Sequence, residues 1–173
     1  MTALVFGNII ALIAASMQFI VGIIKNRKKA LYVQTVQYGV FAVSSFILGG
    51  FSGTIANIIG AIRNILTYNE KLTKCAIIVI VLAATILTLY FNNLGILGLI
   101  PLVNTIIYTV FINVKDPLKF KLLFTFSTFL WVIYGVLIKS YTSTVFDSIS
   151  TIGSLVSAYQ IYKKQKNKKI TSS

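Results

Sequence analysis

The chain has 173 residues, of which 57% are hydrophobic and 11% charged, and its sixteen Lys and Arg against three Asp and Glu give a net charge of +13. So apolar a chain, with mean hydropathy +0.87, has too little polar surface to cover a water-soluble domain; it is long enough for about seven spans of ~20 residues and little else, so a single all-α polytopic membrane domain over residues 1–173 is expected. One cysteine, Cys75, excludes an intrachain disulfide or a multi-cysteine metal site, and the lack of histidine leaves little from which to build a hydrolytic centre, so neither a cofactor nor an enzymatic activity is expected.

Span one covers roughly residues 3–24 and ends at Lys25-Asn26-Arg27-Lys28-Lys29. No basic residue precedes its apolar run, so it reads as a span and not as a cleaved signal peptide. Span two, about 30–48, leads to the diglycine Gly49-Gly50, which allows a reversal too tight for residues with a Cβ. Span three, about 51–68, carries Asn57, Arg63 and Asn64 where a lipid-facing helix would carry leucine. Span four, 75–91, is apolar on all sides and reads as a lipid-facing linker. After the uncharged turn at Asn92-Asn93, span five (about 96–114) contains Pro101 and Asn104. Span six (about 122–138) contains Trp131 and Tyr134, and span seven (141–162) hides Asp147, Ser150 and Ser154 before a basic tail at 163–173.

Lys and Arg in alternate gaps number four, two, three and five on one side, and on the other only Lys139. The positive-inside rule then orients the chain with Met1 outside and the C-terminus cytoplasmic, its basic gaps meeting anionic lipid head groups. Because the cations sit in these gaps with no aromatic-basic surface beside them, nucleic acid is not an expected partner; self-association is left open.

Span three and span seven share one layout, a polar turn followed by an apolar helix with buried polar groups. A shift of 90 pairs Asn57 with Asp147, and a shift of 93 pairs Asn57 with Ser150 and Gly60 with Gly153; less than one helical turn separates the two registers, and both stay open. The expected architecture is a 3+1+3 parallel repeat (residues 3–68 and 96–162, linker helix 75–91), related by an axis along the membrane normal. The runs FILGGFSGTIANIIGAIRNILTY (46–68) and FLWVIYGVLIKSYTS (129–143) resemble the YgjV-type family of bacterial inner-membrane proteins, more distantly the PQ-loop and SWEET superfamily. The resemblance implies a multi-pass location in the bacterial cytoplasmic membrane. Its more distant part implies an asparagine on each of the third and seventh spans facing a sugar pocket. Asn57 with Gly60 matches the first, and Ser150 with Gly153 stands where the second asparagine would be. Neither Pro101 nor Pro117 is followed by glutamine, as a PQ-loop signature would require.

Polar groups on repeat-related spans converge in depth, so the expected site is a central pocket for a small polar solute between two three-helix bundles. Asn57, Asn104, Asp147 and Ser150 would hydrogen-bond to it, and Trp131, Tyr134 and Tyr38 would form flat walls. Ser16 and Gln18 lie near the same level. Asp147, the one intraspan carboxylate, must be paired, hydrated or protonated; Arg63, the one intraspan cation, either pairs with it or snorkels to the cytoplasmic interface. Gly49, Gly53, Ala56 and Gly60 read as a close-packing stripe. The expected function is a transporter or facilitator of a small solute, and the alternative is a non-transporting assembly, regulatory or lipid-binding protein whose polar residues only tie helices together. With Cys75 replaced, single cysteines at Gly50, Asn93 and Ser140 should label from outside the cell; labelling of all three only from the cytoplasm would reverse the orientation.

Overall fold

The computed structural model describes residues 2–23, 27–114 and 116–170. Among them are seven α-helices, one short 3-10 helix and no strand: α1 (Thr2–Ile23), α2 (Arg27–Ile47), α3 (Phe51–Tyr68), α4 (Lys74–Phe91), the 3-10 helix Gly95–Leu99, α5 (Ile100–Phe111), α6 (Pro117–Leu137) and α7 (Tyr141–Ile170). Ile24, the expected end of span one, and the cations Lys25 and Lys115 lie outside the described residues.

Local chemistry sets the boundaries. Thr73 caps α4 by accepting from the Ala76 N–H, and Asp116 caps α6 by accepting from the Leu118 and Lys119 N–H groups, with Pro117 in the first turn where its missing N–H is harmless. Two expectations shift. Span five, expected as one helix over about 96–114, is broken into the 3-10 turn and the twelve-residue α5, because Pro101 can start a helix but not sit inside one and Gly95 turns the chain with φ +60°. Span seven, expected to end at 162, continues as α7 to Ile170, since neither Gly nor Pro interrupts the basic segment.

The α2–α3 and α6–α7 connections are the same turn ninety residues apart. Gly49 N–H donates to Phe46 O and Gly50 N–H to Ser45 O; in the same way Lys139 N–H donates to Val136 O and Ser140 N–H to Gly135 O. Both turns place their first residue in the left-handed region, Gly49 at φ +77° and Lys139 at φ +56°. This is the Schellman ending that satisfies the last carbonyls of a helix.

The main helix contacts run α1–α2–α3–α5–α6–α7 and back to α1, a closed ring, with α4 laid against α3 and α5 from outside. Ile59 on α3, Ile80 and Ala84 on α4, and Leu102 on α5 form the apolar cluster of that corner. Asn93 Nδ2 donates to Gly49 O at 2.9 Å, and Asn8 Nδ2 to Lys139 O at 3.2 Å, so the diglycine turn, the α4–α5 connection and the α6–α7 turn gather at one end of the ring. At the opposite end Lys28 lies 3.5 Å from Glu70, an exposed pair of little energetic weight.

Polarity is inverted relative to a water-soluble bundle. Buried side chains include Gln37, Ser44, Asn57, Arg63, Asn64, Asn104, Thr109 and Asp147, while Phe6, Ile13, Phe46, Leu82, Ile86 and Ile152 are exposed. Such an apolar outside fits a hydrocarbon solvent, which cannot hydrogen-bond to polar groups. One helix, Lys74–Phe91 with mean hydropathy 2.3, is long and apolar enough to cross a membrane by length and composition; Ala3–Gln18, Gly95–Phe111 and Lys121–Leu137 are shorter apolar stretches.

The turn geometry is testable. No atom lies within 4 Å of a Cβ built on Gly49, so Gly49→Ala acts through φ alone and should lower stability by roughly 1–2 kcal/mol, whereas Lys139→Gly, which relieves the same conformation, should not lower it. Thermal melts in detergent that fall equally for both variants would contradict the account.

Candidate functional site

The ring encloses a cavity of about 50 Å³, several times the ~10–15 Å³ that one water requires. All six ring helices line it and α4 contributes no lining residue: Gln18 comes from α1, Gln37 and Tyr38 from α2, Asn57 from α3, Tyr108 from α5, Trp131 and Tyr134 from α6, and Asp147 from α7.

On the α1–α7 side, Gln18 Nε2 donates to Asp147 Oδ1 at 2.8 Å, and Gln37 Nε2 donates to Gln18 Oε1 at 3.2 Å. This relay joins α2, α1 and α7. Across the cavity Asn57 Nδ2 reaches Ser45 Oγ at 3.4 Å, and deeper on the same side Arg63, only 2% exposed, sits between two tyrosines. Its guanidinium carbon lies 4.6 Å from the ring centre of Tyr108 and 5.6 Å from that of Tyr38. Arg63 also donates to the Tyr38 hydroxyl at 3.1 Å and to Asn64 Oδ1 at 3.2 Å, and Asn64 Nδ2 donates to Gln34 Oε1 at 3.0 Å. Cation–π contacts gain strength where water is excluded, so Arg63 is held by two ring faces and amides rather than by a carboxylate.

The opposite end is closed by Tyr134. Gly50 gives α3 no side-chain cap, and the Gly53 N–H in its first turn donates instead to the Tyr134 hydroxyl at 2.8 Å. That approach needs glycine twice, since a Cβ on Gly53 would lie 2.5 Å from Tyr134 Cε1 and one on Gly50 2.7 Å from the hydroxyl. Trp131 stacks edge-on against the same ring, with centroids 5.8 Å apart.

The sequence-derived candidates therefore separate. Asn57, Trp131, Asp147, Tyr38, Tyr134 and Gln18 line the cavity; Asn104 is buried on α5 but is not among the lining residues, nor is the half-buried Ser150. Ser16 is exposed and bonds its own helix at Leu12 O. Neither fate expected for Arg63 is found: its bonds go to Tyr38 and Asn64, those of Asp147 go to Gln18, and the described ion pair is Lys28–Glu70. In the small-residue stripe, Gly53 and Gly60 admit Tyr134 and Tyr38 while Gly49 serves the turn. Unanticipated members are Gln34, Gln37 and Tyr108. The first two, with Tyr38, stand three and four residues apart on α2, a polar stripe on one face of a helix that otherwise reads as apolar.

A family model described as Imp-YgjV, bacterial inner membrane protein, matches residues 5–165. The chain belongs to that family. It is accordingly a bacterial inner-membrane protein, which accounts for the apolar exterior and the polar interior of the ring. No curated protein and no solved structure matches it.

Removing the Tyr134 hydroxyl leaves a buried N–H without an acceptor, so Tyr134→Phe should destabilise by about 1–3 kcal/mol. Gly53→Ala should cost at least as much by expelling the ring. Unchanged melting of Tyr134→Phe would show that this bond does not hold the end shut.

Proposed function

We propose that this inner-membrane protein is a transporter or facilitator of a small polar solute, built from two three-helix bundles, α1–α3 and α5–α7, around a central pocket. The observation that carries the reading is the cavity itself, lined by all six ring helices and by polar side chains that face away from lipid. The two bundles are read as a parallel repeat with a shift of 90, Met1 outside and the C-terminus cytoplasmic, and α4 as the linker. The matching turns at Gly49 and Lys139 support that shift, as does the ring order, which is unchanged when α1, α2 and α3 are exchanged for α5, α6 and α7. In this register Asn57 and Asp147 are equivalent, and both line the cavity.

Besides the Gln18–Asp147 bond, which joins α1 to α7 within the cavity, few side-chain bonds among the described residues hold the bundles to each other. The Tyr134–Gly53 bond joins α6 to α3, and Asn8 joins α1 to the α6–α7 turn through Lys139 O and the Thr142 N–H. At the other end Tyr108 joins α5 to Arg63 on α3. Rocking of one bundle against the other would exchange these closures and expose the cavity to each side in turn, the alternating-access motion of repeat-built transporters. Asp147 and Asn57 would hold the solute, with Trp131 as a wall.

The reading is tested by thermal stability of the purified protein across a panel of sugars, amino acids, amines and vitamins, since a ligand at 100 times its Kd stabilises the folded state by about 2.7 kcal/mol. A stabilising solute should then be taken up by reconstituted vesicles, and Asp147→Asn should abolish uptake while the protein still folds. A panel with no stabilising solute, or a solute that binds without crossing the bilayer, would favour the non-transporting assembly or lipid-binding reading.

A further inference from the structure

We propose that the cavity recognises the protonated amino group of a small free amine; the inference deepens the transport reading and rests on it for treating the cavity as a solute path. It starts from the Gln37–Gln18–Asp147 relay. An ionised carboxylate only accepts hydrogen bonds, so Gln18 must turn its NH₂ toward Asp147 and its carbonyl toward Gln37. Gln37 then has to present its own NH₂ to Gln18, and its carbonyl is left over. That oxygen, Gln37 Oε1, is buried without a hydrogen-bond partner, on a side chain that is 5% exposed and lines the cavity. An ionised Asp147 thus fixes two amide orientations, and the relay ends in a buried acceptor that needs a donor.

The charge points to the same ligand. The ion pair among the described residues, Lys28–Glu70, involves neither Asp147 nor Arg63, and Arg63 is engaged by Tyr38, Asn64 and the Tyr108 ring. In its ionised form the Asp147 carboxylate therefore presents to the cavity a negative charge that its amide partner does not neutralise. A ligand that brings both a positive charge and several N–H donors meets both needs at once, which a neutral hydroxyl or an anion does not. Six aromatic rings in the wall, Trp131 and Phe41 among them, suit an organic ammonium. A bare metal cation would ask instead for a shell of oxygens. The volume admits an amine of a few heavy atoms.

The test uses the purified full-length protein in detergent, with melting temperature and Trp131 emission as readouts; Trp131 is the single tryptophan and lines the cavity. Methylammonium, ethylammonium and ethanolamine chlorides should each raise the melting temperature saturably and shift the emission. Equal concentrations of sodium chloride, ethylene glycol and sodium glycolate should do neither. Asp147→Asn and Gln37→Met should each weaken ammonium binding at least about tenfold, the loss expected for one hydrogen bond to a charged group, whereas the outward-facing Ile86→Ala should leave it unchanged. If Asp147→Asn does not fold, Gln37→Met decides alone. Equal stabilisation by sodium, or by the neutral glycol, overturns the proposal, as does full-affinity ammonium binding in Gln37→Met. Ammonium binding without uptake into vesicles supports this inference and overturns the transport reading. Uptake of a neutral or anionic solute with no ammonium binding does the reverse.

Discussion

The fold depends on a solvent that cannot hydrogen-bond. In hydrocarbon a polar side chain must find a partner inside the protein, and apolar faces gain little by touching each other because lipid is as apolar as leucine. The ring meets both conditions. Its helices turn Gln, Asn, Thr, Arg and Asp inward and leave Phe, Ile and Leu outside. Glycines then allow the approach that dispersion requires: Gly53 and Gly60 admit the rings of Tyr134 and Tyr38. A ring of six helices lined with polar groups encloses a cavity as a direct result of this inversion.

Two ionisable side chains, Arg63 and Asp147, organise the two sides of that cavity by different means. Arg63 is held between aromatic faces and amides on α2, α3 and α5, so its charge is spread over ring quadrupoles and needs no carboxylate. Asp147 is held by a chain of amides on α1 and α2 that ends in an unpartnered oxygen. The arginine side is internally complete, and the aspartate side is not.

The helical and membrane character of the chain was legible in its composition, and the ends of α3 agree with its apolar run between the diglycine and Tyr68 because the turns there are written in glycine and polar residues. The extension of α7 to Ile170 was hidden, since a run of lysines reads as a tail whether or not it is helical. The break between the 3-10 turn and α5 is signalled in the sequence by Pro101, which sits in the first turn of α5. In the site, Asn57 and Asp147 stood out because polar residues are scarce in spans, while Gln34, Gln37 and Tyr108 needed the third dimension: their importance lies in which neighbour each amide or ring faces. Pairing with Asp147 and snorkelling were the two fates open to Arg63 in the sequence, which carries no measure of the cation–π geometry that holds it instead.

The central claim is that the polar interior borders a cavity sealed from lipid, and its single tryptophan can report on that. Quenching of Trp131 by brominated lipid chains in reconstituted bilayers is the direct measurement, compared with Leu82→Trp in a Trp131→Phe background, where the side chain at position 82 faces outward. The account predicts weak quenching at 131 and strong quenching at 82. Equal, strong quenching at both positions would place Trp131 against lipid and contradict a cavity within the ring.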